Sequence, residues 1–429
     1  MTSTSTALLT DRYELTMLQA ALADGTAHRA SVFELFSRRL NGGRRYGVVA
    51  GTGRLLEALE LFRFGDDELD WLRSADVVDA RTLDWLADYR FSGSIWGYRE
   101  GEPYFPQSPV VVVESTFAEG VLLETLFLSI LNHDSAIASA SARMISAARG
   151  RPCIEMGSRR THDGAAVAAA RAAVLTGFAS SSNLEAGRRY GLPTTGTSAH
   201  AFTLLHDTER DAFTAQVDSL GVGTTLLVDT YDITEAIEAA VEVAGPELGA
   251  VRIDSGDLVS LAHAVRRQLD DLGATGTRII VTSDLDEHAI AALAAAPVDG
   301  YGVGTSLVTG AGVPTSGFVY KLVARADDSG AMVPVAKKSN DKISVGGRKY
   351  ALRRRTHGRA VAEIIGIGAP PVDDGDDRSL LVELVTAGEI VHRPTHDEIR
   401  EHHRAAMAEL PAAAAQLSPG GPVLDTIVQ

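Results

Sequence analysis

Between about residues 150 and 310, short apolar runs alternate with alanine-rich stretches whose apolar residues recur at helical spacing. The apolar runs are typical of buried strands and begin near Pro152, Thr176, Thr194, Thr225, Ala250, Arg278 and Gly300. The segments between them are predicted helices, at 164–175, 201–220, 233–244, 258–272 and 287–296. Because parallel strands need helical crossovers, this alternation predicts an α/β domain, either an irregular TIM-like barrel or a doubly wound open sheet.

The two ends of the chain follow a different pattern. Residues 1–110 mix predicted helices with strand-like runs, the helices at 11–23, 53–61 and 66–72 and the strands at 31–37 and 92–98. Polar or glycine-rich turns separate later strand candidates at 318–324, 332–337, 343–352, 360–367 and 380–384. We therefore expect both chain ends to build a second α/β domain. The predicted division is an N-terminal domain at 1–135, a barrel at 136–316, and a β-rich segment with a helical tail at 317–429.

Composition narrows the classes of function. The chain has 40 Lys and Arg against 56 Asp and Glu, a formal net charge of −16, which disfavours nucleic acid and anionic membranes as partners. Cys153 is the single cysteine, so an intramolecular disulfide or a cysteine-based metal site is excluded. The start of the chain lacks the pattern of a signal peptide, and no apolar run approaches the length of a membrane span. We expect a cytoplasmic protein.

Polar side chains follow nearly every predicted strand. They belong to Glu155, Arg159, Arg160, residues 180–183, residues 197–200, Asp229, Asp232, Asp254, Asp257, Ser283, Asp284 and Thr305, the last preceded by Gly304. In a barrel, the carboxyl ends of the strands converge on one mouth, where active sites are built. This regularity favours the barrel over the open sheet and predicts that the site lies at that mouth.

Several of these groups suit an anionic, phosphorylated substrate. Arg159 and Arg160 can bind a phosphate or carboxylate, although an adjacent arginine pair is more often solvated. Arg252 stands two residues before Asp254, on the same strand face, so it must meet either an internal carboxylate or an anionic ligand. Asp254 and Asp257 suit ribose hydroxyls or a magnesium ion carried by a pyrophosphate.

Two other strand ends offer different chemistry. His200 can act as a base, a metal ligand or a phosphoryl acceptor, or it can be structural, and no second ligand at metal spacing accompanies it. The small residues of 302–306 let backbone N–H groups approach a phosphate. Two further patterns are rejected as sites. These are the glycines of 51–53, and the histidines at 392, 396, 402 and 403, which are assigned to a solvated helix.

Seven short motifs in order resemble those of the nicotinate phosphoribosyltransferase family, and they extend over nearly the whole chain. They are LTDRYELTM at 9–17, EMGSRR at 155–160, GTSAH at 196–200, RIDSGDL at 252–258, TSDLDE at 282–287, YGVGT at 301–305 and VYKL at 319–322. The resemblance implies the type II phosphoribosyltransferase fold, and a homodimer whose N-terminal segment caps the partner's site.

The resemblance also implies a role for individual residues. Tyr13 is expected to stack on the pyridine ring, Thr197 and Arg252 to hold nicotinate, and Thr305 to contact phosphoribosyl pyrophosphate. His200 matches the histidine that the family phosphorylates with ATP. The remaining expected substrate contacts are Arg159, Arg160, Ser283, Asp284 and Gly304, and Asp254 and Asp257 are expected to be catalytic together with His200.

The implied reaction is the ATP-dependent, ligase-type formation of a C–N glycosidic bond. It yields nicotinate mononucleotide from nicotinate and phosphoribosyl pyrophosphate, for NAD salvage. We expect ATP and Mg²⁺ as cofactors, with Mg²⁺ carried by pyrophosphate or ATP and not held by protein ligands alone. The alternatives are transfer to nicotinamide or quinolinate in the same fold, or a metabolite-binding barrel without catalysis.

Overall fold

The structure, a computed structural model, describes residues 4–337 and 345–429. The chain forms two compact units. One consists of Ala140–Gly312, and the other joins the residues up to Ser139 with Val313–Gln429. The first of these contains the βα repeats, and the second contains both chain ends.

A parallel sheet of six strands is the centre of the 140–312 unit. In spatial order the strands are Ser180–Ser181, Cys153–Glu155, Gly300–Val303, Arg278–Val281, Ala250–Ile253 and Thr225–Leu227. The α-helices are Asp163–Leu175, Leu184–Tyr190, His200–Leu205, Glu209–Leu220, Ile233–Ala244, Leu258–Asp271, Glu287–Ala292 and Thr305–Val308. The sheet is curled into a half-barrel, which confirms the predicted fold class.

The predicted seventh strand is the main difference within this sheet. Thr194 makes only an isolated parallel bridge with Ser181, and no strand pairing joins this edge to Thr225–Leu227 among the described residues. The predicted helix 201–220 is also two helices, because Thr208 accepts a hydrogen bond from Asp211 N (3.1 Å) and starts a new helix there. The helix predicted at 287–296 ends at Ala292 and continues as a 3₁₀ turn, Leu293–Ala295.

The other unit is built on an antiparallel sheet that mixes strands from both chain ends. Its seven strands, in spatial order, are Met332–Pro334, Phe318–Ala326, Ala30–Ser37, Val111–Thr116, Ser94–Tyr98, Leu381–Thr386 and Glu389–Ile390. Phe33 stacks on Tyr320 across two adjacent strands, with ring centroids 5.1 Å apart. The predicted second domain from both chain ends is therefore confirmed.

A smaller sheet of four strands completes the β structure of this unit, beside the short pair Gly47–Val48 and Pro103–Tyr104. Its order is Arg378–Ser379, Lys349–Thr356, Arg359–Ile367 and Asp425–Val428. The last strand, which pairs in parallel with Arg359–Ile367, was not predicted. The first two residues of the strand predicted at 343–352 lie outside the described residues. Within the described residues, the strand is observed from Lys349 onward.

The α-helices of this unit pack against its sheets. They are Arg12–Asp24, Thr52–Glu60, Asp66–Ser74, Ala80–Ala87, Phe117–Val121, Glu124–Ala148 and His396–Glu409. The last residues of Glu124–Ala148 belong to the other unit. The 3₁₀ turns are Asn41–Gly43 and Ala412–Ala415. By length and composition, the helical stretch Phe117–Ala148 qualifies as a membrane span, but 67% of its most apolar window is buried inside the protein. This burial is typical of a core helix.

The two rejected motifs have structural roles in this unit. The N–H groups of Gly51 and Gly53 donate to the carboxylate of Glu100, at 2.6 and 3.2 Å. The prediction of a solvated helix is wrong for His403, which is buried and has its Nδ1 2.8 Å from Gly101 O. His402 Nε2 likewise lies 2.9 Å from the buried carboxylate of Glu102.

Candidate active site

A polar pocket of about 270 Å³ lies at the carboxyl ends of the parallel strands. Its lining residues are Met156, Arg159, Arg160, Arg252, Asp254, Thr282, Ser283, Asp284, Gly302, Gly304 and Thr305. They follow or end the strands Cys153–Glu155, Ala250–Ile253, Arg278–Val281 and Gly300–Val303. The structure therefore brings together eight of the twelve residues selected from the sequence.

Arg252 is the most constrained cation of the pocket. Its Nη1 donates to Thr197 Oγ1 and its Nη2 to Ser198 O, both at 2.9 Å, while its buried Nε has no hydrogen-bond partner in the described part of the chain. Burial lowers the pKa of Arg252, and the carboxylates of Asp254 and Asp229 oppose this shift. No described carboxylate forms an ion pair with the guanidinium, so the reading of Arg252 as half of an internal ion pair is not supported.

His200 begins a helix beside this pocket and faces two carboxylates. Its Nδ1 lies 3.1 Å from Thr230 Oγ1, and its Nε2 lies 3.8 Å from Asp229 Oδ1 and 3.9 Å from Asp254 Oδ2. The side chain is 41% exposed. The imidazole is thus oriented by the protein on one side and remains accessible to a reactant.

Asp229 is a site residue that the sequence analysis did not select. Its side chain is only 2% exposed, and its Oδ2 accepts hydrogen bonds from Asp254 N and Ser255 Oγ, both at 2.8 Å. Its Oδ1 is buried without a hydrogen-bond partner among the described residues, on the side that faces His200. The available signal was its position directly after the strand Thr225–Leu227.

Asp254 and Thr282 connect neighbouring strand ends. Thr282 Oγ1 donates to Asp254 Oδ1, so one carboxylate oxygen is held by the adjacent strand. The other oxygen, Oδ2, faces His200, and 42% of the side chain is exposed. Thr282 was quoted within the TSDLDE motif but was not selected as a site residue. Its hydroxyl fixes the orientation of a carboxylate that lines the pocket.

A buried carboxylate shapes the loop that carries the two arginines. Glu155 accepts hydrogen bonds from Gly157 N and Ser181 Oγ, and burial raises its pKa. A Cβ at Gly157 would lie 2.2 Å from Val308 Cγ1, so only glycine fits this turn. Arg159 and Arg160 follow it, and both are exposed on the pocket side. Because both arginines are exposed and line the same pocket, they can pair with an anionic ligand that enters from solvent.

The wall of the pocket that contains Gly302 and Ser283 has close backbone packing and a strained backbone conformation. A Cβ at Gly302 would lie 2.4 Å from Thr282 Cγ2 and 2.8 Å from Met156 Sδ. Ser283 has a φ of +147°, a conformation that is rare for a residue with a side chain. Such strain is kept where the surrounding structure enforces it, often at binding sites. Ser283 and Thr305 both present exposed side chains at this wall.

Four of the selected residues do not line the pocket. Thr197 and His200 reach its edge through Arg252 and Asp254. Asp257 is an N-cap: its carboxylate accepts from Ser260 N (3.4 Å) and Ser260 Oγ (2.7 Å), and these bonds lower its pKa. Its predicted catalytic role stays a prediction.

Tyr13 belongs to the other compact unit. It lies on the helix Arg12–Asp24 and is 44% exposed. Partial burial and the nearby carboxylates of Glu124 and Glu14 raise its pKa to about 12, so its hydroxyl is neutral at physiological pH. Glu14 is itself buried and accepts hydrogen bonds from Thr125 N (2.9 Å) and Thr125 Oγ1. Tyr13 therefore presents a neutral aromatic ring at a surface of its own unit.

The acidic loop 373–377 holds the one group of three potential metal ligands found among the described residues. Asp373, Asp374 and Asp377 each offer a carboxylate oxygen within 4.8 Å of the others. Arg354 pairs with Asp377 at 2.9 Å and with Asp374 at 3.5 Å, which already balances much of this charge. The loop belongs to the unit that lacks the candidate active site.

Comparison with known proteins bears on the identity of this site. The model of the nicotinate phosphoribosyltransferase N-terminal domain matches residues 8–132, and that of the nicotinate phosphoribosyltransferase family matches residues 152–350. Nicotinate phosphoribosyltransferase pncB1 of Mycobacterium tuberculosis is 58% identical, over 98% of this chain and 94% of its own length. The nicotinate phosphoribosyltransferase of Bacillus subtilis is 37% identical, over 81% of this chain and 73% of its own.

A solved structure extends the likeness to the fold. The crystal structure of human nicotinic acid phosphoribosyltransferase superposes with a TM-score of 0.83, covering 98% of this chain and 97% of the human chain at 24% identity. At that identity the match concerns the fold alone. The family models and the 58% identity over nearly the full length establish the relationship. The chain belongs to the nicotinate phosphoribosyltransferase family.

Proposed function

We propose that this protein is an enzyme that transfers the phosphoribosyl group of phosphoribosyl pyrophosphate to nicotinate. The products are nicotinate mononucleotide and pyrophosphate, within NAD salvage. The observation that carries the proposal is Arg252, a half-buried cation with no carboxylate partner among the described residues, in a pocket that also offers Arg159 and Arg160. Three arginines around one small cavity suit a reaction in which both substrates are anions.

Arg252 and Thr197 supply recognition of the nicotinate carboxylate. The Nη atoms of Arg252 are held by Thr197 Oγ1 and Ser198 O, so the guanidinium is oriented before the substrate arrives. An amide in place of the acid would leave a desolvated guanidinium without counter-charge. The enzyme is therefore expected to discriminate against nicotinamide. Quinolinate would add a second carboxylate and require a further cation beside the first.

The other walls of the pocket suit phosphoribosyl pyrophosphate. Arg159 and Arg160 are placed to pair with its phosphates, while Ser283 and Thr305 add hydroxyl and backbone donors. A magnesium ion on the pyrophosphate would offset its charge as it leaves, and the carboxylates of Asp254 and Asp284 would hold that ion. The residues themselves orient C1 of the ribose toward the pyridine nitrogen and exclude water from that contact.

His200 is the proposed phosphoryl acceptor that couples the reaction to ATP. Its 41% exposure leaves the ring open to a nucleotide, and the carboxylates of Asp229 and Asp254 lie 3.8 and 3.9 Å from Nε2, where they would stabilise positive charge that develops on the ring during phosphoryl transfer. Hydrolysis of the phosphohistidine would drive nucleotide synthesis forward. The added negative charge would also reorganise the neighbouring loops.

The remaining expectations concern the assembly. A homodimer is proposed because Tyr13, assigned by resemblance to the pyridine ring, lies on an exposed face of its own unit. Leu9 and Met17 on the same segment are also exposed, at 60% and 37%. An exposed apolar segment of this kind is typical of a surface that another chain covers. A cytoplasmic location is proposed from the composition.

Turnover of alternative substrates tests the proposed function. The native protein is incubated with phosphoribosyl pyrophosphate, Mg²⁺ and either nicotinate, nicotinamide or quinolinate, and the mononucleotide products are separated and quantified. We expect product from nicotinate, with a kcat/KM at least about a hundredfold above that of nicotinamide. Equal use of nicotinate and nicotinamide would contradict the role of Arg252. Binding of nicotinate without any product, even with ATP, would establish the non-catalytic alternative.

A further inference from the structure

A second cavity, of about 520 Å³, lies in the unit built from both chain ends and contains none of the residues assigned to the reaction. Three segments enclose it. They are the turn at 99–100 that follows the strand Ser94–Tyr98, the loop 392–394, and one face of the helix His396–Glu409. Its volume falls within the usual range for metabolite sites, about 300–1,000 Å³.

Two arginines provide positive charge at this cavity. The guanidinium of Arg99 forms no hydrogen bond or ion pair with any residue that the structure describes, and the side chain is exposed. Arg393 pairs with Glu60, but both side chains are about half exposed, at 60% and 47%, so solvent weakens this contact. The half-buried His392, which precedes Arg393 in the chain, lines the same cavity.

Most of the carboxylates that line the cavity are already held by the protein itself. Glu100 accepts hydrogen bonds from Gly51 N and Gly53 N, at the start of the helix Thr52–Glu60. Glu398 accepts from Thr395 N (2.7 Å) and Thr395 Oγ1 (2.9 Å) in a capping box. Glu401 is the remaining acidic residue and is exposed. Hydrogen bonds within the protein thus occupy two of the three carboxylates, and the guanidinium of Arg99 is left to a ligand.

The behaviour of His392 agrees with this balance. Burial lowers its pKa, and Arg99 and His402 lower it further, while Glu100 and Glu398 act in the opposite direction. The part of this shift that comes from Arg99 shows that a charge near the arginine acts on His392, so a negative charge there would act in the opposite direction. An anion bound beside His392 would therefore raise its pKa, which makes this imidazole a local reporter of binding.

A metal ion does not fit this cavity. No three of its histidine and carboxylate ligand atoms lie within 4.8 Å of one another in the described residues. His402 is also engaged, because its Nε2 lies 2.9 Å from Glu102, which in turn pairs with Arg353 and Arg378. The wall formed by Ile399, Pro394 and Ala405 is apolar. The lining thus combines two arginines and an apolar wall with three glutamates, two of which accept hydrogen bonds from the protein itself.

We propose that this cavity binds a small organic oxyanion, a metabolite that carries a phosphate or carboxylate group, between Arg99, Arg393 and His392. The anionic group is held by the two guanidinium groups, and the apolar part of the ligand packs against Ile399 and Pro394. The site is separate from the proposed reaction, so its occupation does not depend on turnover.

The pKa of His392, followed by NMR in the full-length protein labelled at histidine, tests the proposal. His392→Gln assigns the resonance. AMP serves as the phosphate probe and citrate as the carboxylate probe, and each is titrated into the native protein, Arg99→Ala and Arg404→Ala. Arg404→Ala is the control, because Arg404 is an exposed arginine of the helix His396–Glu409 that does not line the cavity. We expect at least one probe to raise the pKa of His392, with affinity reduced at least about tenfold in Arg99→Ala and unchanged in Arg404→Ala.

The pattern of responses identifies the chemistry. A response to AMP alone assigns a phosphate ligand, a response to citrate alone assigns a carboxylate ligand, and a response to both assigns a general oxyanion site. No change of the pKa with either probe, or equal weakening in Arg99→Ala and Arg404→Ala, would overturn the proposal. Because the readout is local to His392, this result is independent of whether the protein makes nicotinate mononucleotide.

Discussion

Replacing Arg252 by glutamine is the most informative single change at the candidate active site. The substitution keeps much of the volume and some hydrogen-bonding capacity but removes the positive charge that faces the proposed carboxylate. It also ends the hydrogen bonds to Thr197 Oγ1 and Ser198 O, each 2.9 Å long in the native protein. The effect therefore measures how much Arg252 contributes to recognition of the acid.

The expected magnitude follows from the burial of this guanidinium. Removing one partner of a buried, hydrogen-bonded charge pair costs about 2–5 kcal/mol, and 1.4 kcal/mol corresponds to tenfold. Because Arg252 is half-buried rather than fully enclosed, we place the loss in the lower half of this range. That corresponds to a fall of roughly 30- to 300-fold in kcat/KM for nicotinate.

Steady-state kinetics with nicotinate and nicotinamide provide the assay. In Arg252→Gln the preference for nicotinate over nicotinamide is expected to collapse, because the amide no longer leaves a guanidinium without counter-charge. Arg278→Gln is the control, since Arg278 is exposed and stands at the opposite, amino-terminal end of a strand of the same sheet. Equal losses for both substrates in Arg252→Gln, or an unchanged preference, would refute the reasoning.

Three further changes test other parts of the account. Asp229→Asn removes the buried carboxylate beside His200 and is expected to reduce the stimulation by ATP about tenfold or more, while the rate without ATP changes less. Initial rates measured with and without ATP give this ratio, and unchanged stimulation would count against a role for Asp229. Gly302→Ala forces a Cβ against Thr282 Cγ2, so we expect a loss of about 1–3 kcal/mol in the free energy of unfolding, measured with urea, and a native stability would contradict the contact. Glu14→Gln tests how proton binding by Glu14 affects stability. Burial raises the pKa of Glu14 to about 7, so between pH 4.5 and 7 the folded state holds a proton that the unfolded chain has released. The free energy of unfolding of the native protein therefore falls as the pH rises through this interval. The urea midpoint of Glu14→Gln should fall less between pH 5 and pH 8 than that of the native protein, and equal slopes would refute the assignment.

The sequence was most informative where one local pattern determines the structure. Alternation of apolar runs and helices predicted the six parallel strands, although the strand expected near Thr176 forms only at Ser180–Ser181. The two-residue spacing of Arg252 and Asp254 predicted that they face the same way, and both line the pocket. Such patterns depend on the two-residue repeat of strands and on helical crossovers, which act over short distances in sequence.

Features that depend on contacts between distant segments were not predictable in this way. The run at Thr194 has the composition of a strand, but only one bridge to Ser181 forms, because pairing depends on the neighbour available at the sheet edge. The parallel pairing of Asp425–Val428 with Arg359–Ile367 joins segments far apart in the chain. The burial of His403 on Gly101 has the same origin.

The candidate site shows the same division. Residue type and strand position made Arg159, Arg160 and Arg252 candidates while leaving a solvated pair or an internal ion pair open, and the structure places all three at the pocket. The same signal did not distinguish Asp257, which caps a helix, from Asp229, whose buried Oδ1 faces His200. Both aspartates follow a strand, and only the three-dimensional arrangement separates a capping carboxylate from one that lies beside a histidine.

Product formation from nicotinate and phosphoribosyl pyrophosphate, with and without ATP, tests the central claim most directly when native protein and His200→Ala are compared. The account predicts nicotinate mononucleotide from the native protein, strongly stimulated by ATP, and product without ATP stimulation from His200→Ala. Equal stimulation of both proteins would keep the reaction but remove His200 from the coupling. The absence of product from the native protein under either condition would contradict the account.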